Sequence, residues 1–120
     1  MTTRRLKSYT GAEGRVYRYY FVGSRPAVAN APAHPATEYV FDASTDGANF
    51  SPVSVFLSAA APAAWAAAHG RELSEAERYA GAKLCLFRAF DTSTDLTQQP
   101  AQFLLDAATL EELLAQLDLD

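Results

Sequence analysis

The imidazoles and thiols that most often supply a nucleophile, a proton shuttle or a transition-metal ligand are few: His34, His69 and the single cysteine, Cys85. A thiolate nucleophile needs a base beside it, and a zinc site needs several nitrogen or sulfur ligands held close together. Neither histidine has a second ligand at helical or zinc-finger spacing, and no motif pairs Cys85 with His34 or His69. Cys85 lies between Leu84 and Leu86, where a lone thiol behaves as a small buried hydrophobe. Asp42, Ser44 and Asp46, followed by Gly47, put oxygen ligands and a glycine where a calcium loop has them. The later ligand positions of such a loop fall on Phe50 and Val53, so the run reads as a strand end and hairpin turn. Glu75 and Glu77 form a possible carboxylate pair, but Ser74-Glu75-Ala76-Glu77 fits a helix capping box better. No nucleophile elbow, phosphate-binding glycine loop or dinucleotide fingerprint is present. No catalytic, cofactor-binding or metal-ligating residue is therefore assigned, and no cofactor is expected. A small enzyme or ligand-binding protein without a recognisable motif stays as a third reading.

Binding chemistry is better represented. Arg15 to Gly23 reads Arg-Val-Tyr-Arg-Tyr-Tyr-Phe-Val-Gly, the densest run of strand-forming aromatic residues in the chain. Alternation puts Tyr17, Tyr19 and Phe21 on one face and Arg18, Tyr20 and Val22 on the other. Charge interleaved with rings is what single-stranded nucleic-acid platforms use, which makes Arg15, Tyr17, Arg18 and Tyr19 one candidate set. The competing assignment makes Tyr17, Tyr19 and Phe21 core. They would face the helices together with Tyr39, Phe41, Val53, Val55 and Leu57, the more apolar positions of the following strands. The opposite face then holds Arg18, Tyr20, Val22, Glu38, Val40, Asp42, Ser54 and Phe56. Pairing of Arg18 with Glu38 or Asp42 would satisfy its charges. Tyr20, Val40 and Phe56 are larger than a solvated sheet face requires, so Arg18, Tyr20, Val22, Val40 and Phe56 form the preferred partner-binding set. That face would be covered by a protein partner, by a second copy of the chain, or by the loop from Ser24 to Ala36 or the last helix.

With 120 residues, 49% of them hydrophobic and 20% charged, the chain has the size of one domain, residues 1–120. A net charge of −4 argues against a dedicated duplex-DNA binder. The charge is uneven. Arg4, Arg5, Lys7, Arg15, Arg18 and Arg25 stand against Glu13 alone in residues 1–26, a local +5 that leaves −9 for the remainder. One unpaired cysteine and no long apolar run lead to the expectation of a reduced, soluble, cytoplasmic protein with no membrane association. Arg4-Arg5 is not followed by the apolar region of an export signal, and Asn49-Phe50-Ser51 reads as a turn.

The elements that must position these residues follow from turn chemistry and periodicity. Residues 4–10 and the run from Arg15 to Gly23 form a hairpin around Gly11 and Gly14. The three prolines of residues 24–36 predict a loop. Strands at 37–44 and 51–57 flank the Thr45-Asp46-Gly47 turn. The alanine-rich run predicts a helix starting between Ala59 and Ala61 and stopping at Gly70. Ser74 then caps a helix from Glu75 to about Phe90, with Ala76, Tyr79 or Ala80, Lys83 or Leu84, Phe87 and Phe90 on its apolar face. Residues 91–99 read as loop, and residues 102–105 as a short fifth strand or the lead-in to a last helix. That helix is capped at Asp106 or Thr109, carries Leu110, Leu113, Leu114 and Leu117, and frays near Asp118 and Asp120. The expected architecture is α+β: a four-stranded antiparallel meander with two or three helices packed on one face.

Overall fold

Period-two alternation of large apolar and polar side chains produces four consecutive strands, β1 (Lys7–Thr10), β2 (Val16–Pro26), β3 (Ala36–Ser44) and β4 (Ser51–Ser58). Each pairs antiparallel with the next in the computed structural model, which describes residues 6–12, 14–27, 36–92 and 101–117. Helices α1 (Ala60–His69) and α2 (Glu75–Thr92) then carry the chain back to β5 (Ala101–Leu105), and α3 (Ala107–Ala115) completes the described fold. The sheet order is β1-β2-β3-β4-β5, with β5 parallel to β4. The α+β class and the antiparallel run of four are therefore present, and the sheet is extended by a fifth, parallel strand to make it mixed. Among the described residues, no helix is long and apolar enough to cross a membrane. His34 and the two N-terminal arginines lie outside the described residues, as do Asp118 and Asp120.

β2 does not end at Gly23. It runs on to Pro26, with a shift of register between Phe21 and Gly23. Tyr20 opposes Asp42, but Gly23 opposes Val40 and Arg25 opposes Glu38. One extra residue, Val22, is thus accommodated as a bulge, which reverses the facing of all residues after it. Pro26 is tolerated because it is the last residue of the strand, and the Ala27 N–H continues the pairing by donating to Ala36 O at 2.9 Å.

The two turns are built by side chains. Gly14 takes φ 87°, and Gly14 N–H donates to Gly11 O at 2.9 Å. This turn is tied down by Asp91 at the end of α2, which accepts from Ala12 N–H at 2.9 Å and from the Tyr9 hydroxyl at 3.0 and 3.1 Å. Because β1 is an edge strand that pairs in the sheet only with β2, Asp91→Ala should loosen it. Its loss should cost about 1–2 kcal/mol in urea denaturation, with faster amide exchange in residues 7–10. In the β3–β4 turn the Asp46 carboxylate accepts from Ala48 N–H and Asn49 N–H, both at 2.8 Å, and from Asn49 Nδ2 at 2.9 Å. Ser44 Oγ accepts from Gly47 N–H at 2.8 Å.

The helices are capped as their sequences require. Gly70 ends α1 at φ 75°, with its N–H donating to Ala66 O at 2.8 Å. Ser74 Oγ accepts from Glu77 N–H at 3.1 Å while Glu77 Oε1 accepts from Ser74 N–H at 2.8 Å, a reciprocal capping box. Asp106 rather than Thr109 caps α3, its side chain accepting from Thr109 N–H at 2.9 Å. Phe90 is buried and Tyr79, Leu84 and Phe87 pack against the core as expected, but Gly81, Ala82, Cys85, Leu86 and Ala89 are also buried, and Ala76 is exposed. α2 packs against both the sheet and α3, and Gly81 marks a close approach to α3 and β5. A Cβ on Gly81 would come within 2.8 Å of Leu110 Cδ1. Leu110, Leu113 and Leu114 are buried, and Leu117 beyond the helix is 41% exposed.

Four of the carboxylates just described, or paired across the sheet, are held below their ordinary range by hydrogen bonds to the charged form. For Asp46 the donors are Asn49 and Ala48; for Glu77, Arg71 and then Ser74, which bring it to about 2; for Glu38, Arg25 and then Ser54; for Asp106, Thr109. A depressed folded-state value supplies stability that is complete above the unfolded carboxylate range and lost as pH falls through the folded values. The urea midpoint should therefore be flat above about pH 5 and fall steadily toward about pH 2.

Candidate functional site

The helices cover the face carrying Tyr17, Tyr19, Phe41, Val53, Val55 and Leu57, all at most 3% exposed and joined in one core with Trp65, Leu86, Phe90 and the α3 leucines. Tyr17 stacks on Phe90 with ring centroids 4.0 Å apart, and Tyr9 stacks on Phe87 at 4.2 Å. Of the four residues considered for nucleic-acid stacking, Arg15 and Arg18 are exposed and the rings of Tyr17 and Tyr19 are inside. Burial pushes the Tyr19 hydroxyl up to about 12.

Among the described residues, no helix lies on the other face. Its register can be followed strand by strand: Arg18 opposes Ser44; Tyr20 opposes Asp42, which opposes Pro52. Val40 opposes Ser54, which pairs with Gln102; Glu38 opposes Phe56, which pairs with Leu104. An apolar stripe thus crosses the sheet diagonally from Val22 through Val40 and Phe56 to Leu104. Val22 is 40% exposed and Leu104 60%, while Val40, Phe56 and Tyr20 are half-buried by their neighbours. Tyr20 packs on Phe50 with centroids 5.4 Å apart. The five predicted partner-binding residues therefore lie on this one surface, and Leu104 extends it. Leu104 was legible only as part of a short segment of undecided structure, because its facing depends on β5 pairing with β4.

The charges on this face are paired differently from the expected scheme. Glu38 bonds to Arg25, not Arg18: Arg25 Nε donates to Oε1 at 2.8 Å and Ser54 Oγ to Oε2 at 2.6 Å. The Tyr20 hydroxyl donates to Asp42 Oδ2 at 2.8 Å. The bulge at Val22 is the cause, since regular pairing would set Ser24 opposite Glu38 and turn Arg25 to the core. Arg18 instead lies against the β3–β4 turn, where a Cβ on Gly47 would meet its Nη1 at 3.5 Å. The Glu38 side chain is only 12% exposed, so the centre of this face is ordered by satisfied polar bonds.

Among the described residues, those with catalytic side chains do not converge. Cys85 is buried, and burial pushes its thiol up, away from the thiolate. His69 stacks on Trp65 at 4.1 Å and its Nε2 lies 2.9 Å from Glu111, joining α1 to α3. Asp46 serves its turn and Asp42 the Tyr20 hydroxyl. Among the described residues no cluster of histidine, cysteine, aspartate and glutamate is arranged to hold a metal ion.

A concavity lies on the helical side, and no pattern in the sequence pointed to it. A cleft of about 850 Å³ opens between α1, the first turns of α2 and the end of the sheet near Ser24 and Thr37. Phe21, Tyr39, Leu57, Leu73 and Tyr79 line it, with Glu72, Glu75 and Arg78 among its charged groups. No protein-family model matches the chain, and neither a curated protein nor a solved structure shows significant similarity to it.

Proposed function

We propose that the protein is a small non-enzymatic interaction module that self-associates through the open face of its sheet. The observation that carries this reading is the stripe from Val22 to Leu104, apolar side chains on a face that none of the described helices covers. A two-fold contact sets a patch against itself, so the patch must be self-complementary. Here the stripe is bordered by both signs of charge, Arg18 and Arg25 with Glu38 and Asp42, and a face of one sign would repel its own copy. The polar bonds around Glu38 and Asp42 hold these groups before contact, which reduces the ordering cost of association. Light scattering on the intact chain across a dilution series should give the mass of two chains, declining to one on dilution. A single-chain mass at every concentration would overturn the reading.

Single-stranded nucleic-acid binding is the alternative reading, supported by the exposed Arg15 and Arg18 on a basic hairpin. With Tyr17 and Tyr19 buried, its affinity would rest on phosphate contacts and fall steeply with salt.

A further inference from the structure

We propose that the cleft on the helical side binds a small zwitterion with an apolar body, of the class of amino acids and short peptides. Its size, about 850 Å³, lies within the range of small-ligand sites, about 300–1,000 Å³. The cleft exists because α1 turns Pro62, Ala63 and Ala66 toward it, side chains too short to close the gap to β3 and α2. Its apolar lining is continuous: Leu57 and Leu73 are buried, and the Phe21 ring lies 4.9 Å from Tyr79 and 6.4 Å from Tyr39.

The polar groups are what select a ligand. Tyr39 is only 8% exposed, yet its hydroxyl makes no hydrogen bond with any described residue. Arg78, Glu72 and Glu75 likewise have side chains with no ion pair among the described residues. Other helix charges are paired, Arg71 with Glu77 and Arg88 with Glu112, while the Lys83 ammonium lies over the Phe87 ring. Glu75 and Arg78 lie near enough to Tyr39 to act on its ionisation in opposite senses, so both signs of charge converge on one phenol. Burial keeps that phenol protonated and able to donate. A lone anion would meet two carboxylates, and a lone organic cation would meet Arg78. A zwitterion satisfies both, its ammonium group taken by Glu72 and Glu75 and its carboxylate by Arg78 and the Tyr39 hydroxyl. This site is on the opposite side of the sheet from the self-association face, so the two proposals stand or fall separately.

The test is a titration of the isotope-labelled full chain with the dipeptide phenylalanyl-leucine, followed by amide chemical shifts. Saturable changes confined to residues around the cleft are expected. The acetylated, amidated dipeptide should bind about tenfold or more weakly, and Arg78→Gln should weaken the free dipeptide by a similar factor. Phenethylamine, which lacks the carboxylate, should bind with an affinity that Arg78→Gln does not reduce. Ala63→Leu, at an exposed position on the wall, should abolish binding while the spectrum stays dispersed. No saturable change, changes centred elsewhere, or equal binding of the blocked dipeptide would each overturn the proposal.

Discussion

The double variant Phe56→Asp, Leu104→Asp is expected to remain folded and to be monomeric at every concentration where the unaltered chain associates. Phe56 and Leu104 are neighbours in the β4–β5 register and point away from the core, whereas Val55 and Phe103 beside them point into or toward it. Removing one large apolar side chain from water is worth about 1.5–3 kcal/mol, or roughly ten- to a hundredfold in a dissociation constant. Losing two, and leaving unpaired carboxylates in a contact that would exclude water, should move association beyond measurement. Leu117 supplies the control. It is 41% exposed but follows α3 on the other side of the molecule, so Leu117→Asp should leave association unchanged. Sedimentation velocity of the three proteins at matched concentrations makes the comparison, with far-ultraviolet circular dichroism to verify the fold.

The second large effect is at Tyr17. This residue is fully buried, stacks on Phe90 at 4.0 Å, and its hydroxyl is buried without a hydrogen-bond partner. Truncation to alanine should cost about 3–5 kcal/mol, the usual loss for an aromatic core residue. Tyr17→Phe keeps the ring and removes the unsatisfied oxygen, so it should leave stability unchanged or raise it by about 1 kcal/mol. Urea denaturation of both variants tests whether Tyr17 contributes through packing. A Tyr17→Phe loss as large as that of Tyr17→Ala would mean that the hydroxyl does essential bonding.

What the sequence made legible, and what it did not, divides along physical lines. Where a side-chain pattern is decided locally, it was readable. Val53, Val55 and Leu57 alternate, Ser74 and Glu77 cap each other, and Gly70 takes the left-handed conformation at the end of α1. Where an element is decided by its partner, it was not. Residues 101–105 become a strand because β4 offers a free edge for parallel pairing after the α1–α2 crossover. Residues 24–26 read as loop on account of the prolines, yet they stay in the sheet, pairing with β3 beyond the bulge at Val22. The same bulge decides that Arg25, not Arg18, meets Glu38, a choice that no local rule contains. The expected α2 stripe was right for Tyr79, Leu84, Phe87 and Phe90 but missed the small residues between them. Large aromatic residues dominate a hydrophobic pattern, but a close approach to α3 is made at Gly81. The five residues assigned to the open face could be placed from alternation alone, while the cleft, made by short side chains on α1, leaves no periodic signal.

The most direct measurement of the self-association claim is an inter-protomer distance between nitroxide labels. Cys85 is buried with its thiol pushed up by burial, so a cysteine introduced on the surface will be the reactive one. One label replaces Gln102, exposed on the open face beside Leu104; a second, in a separate protein, replaces Ala67, exposed on α1. Sheets packed face to face lie about 10 Å apart. The Gln102 label should therefore report a short, defined distance within the dimer, and the Ala67 label a much longer one. No dipolar coupling at Gln102, or a short distance from Ala67 alone, would contradict association through this face.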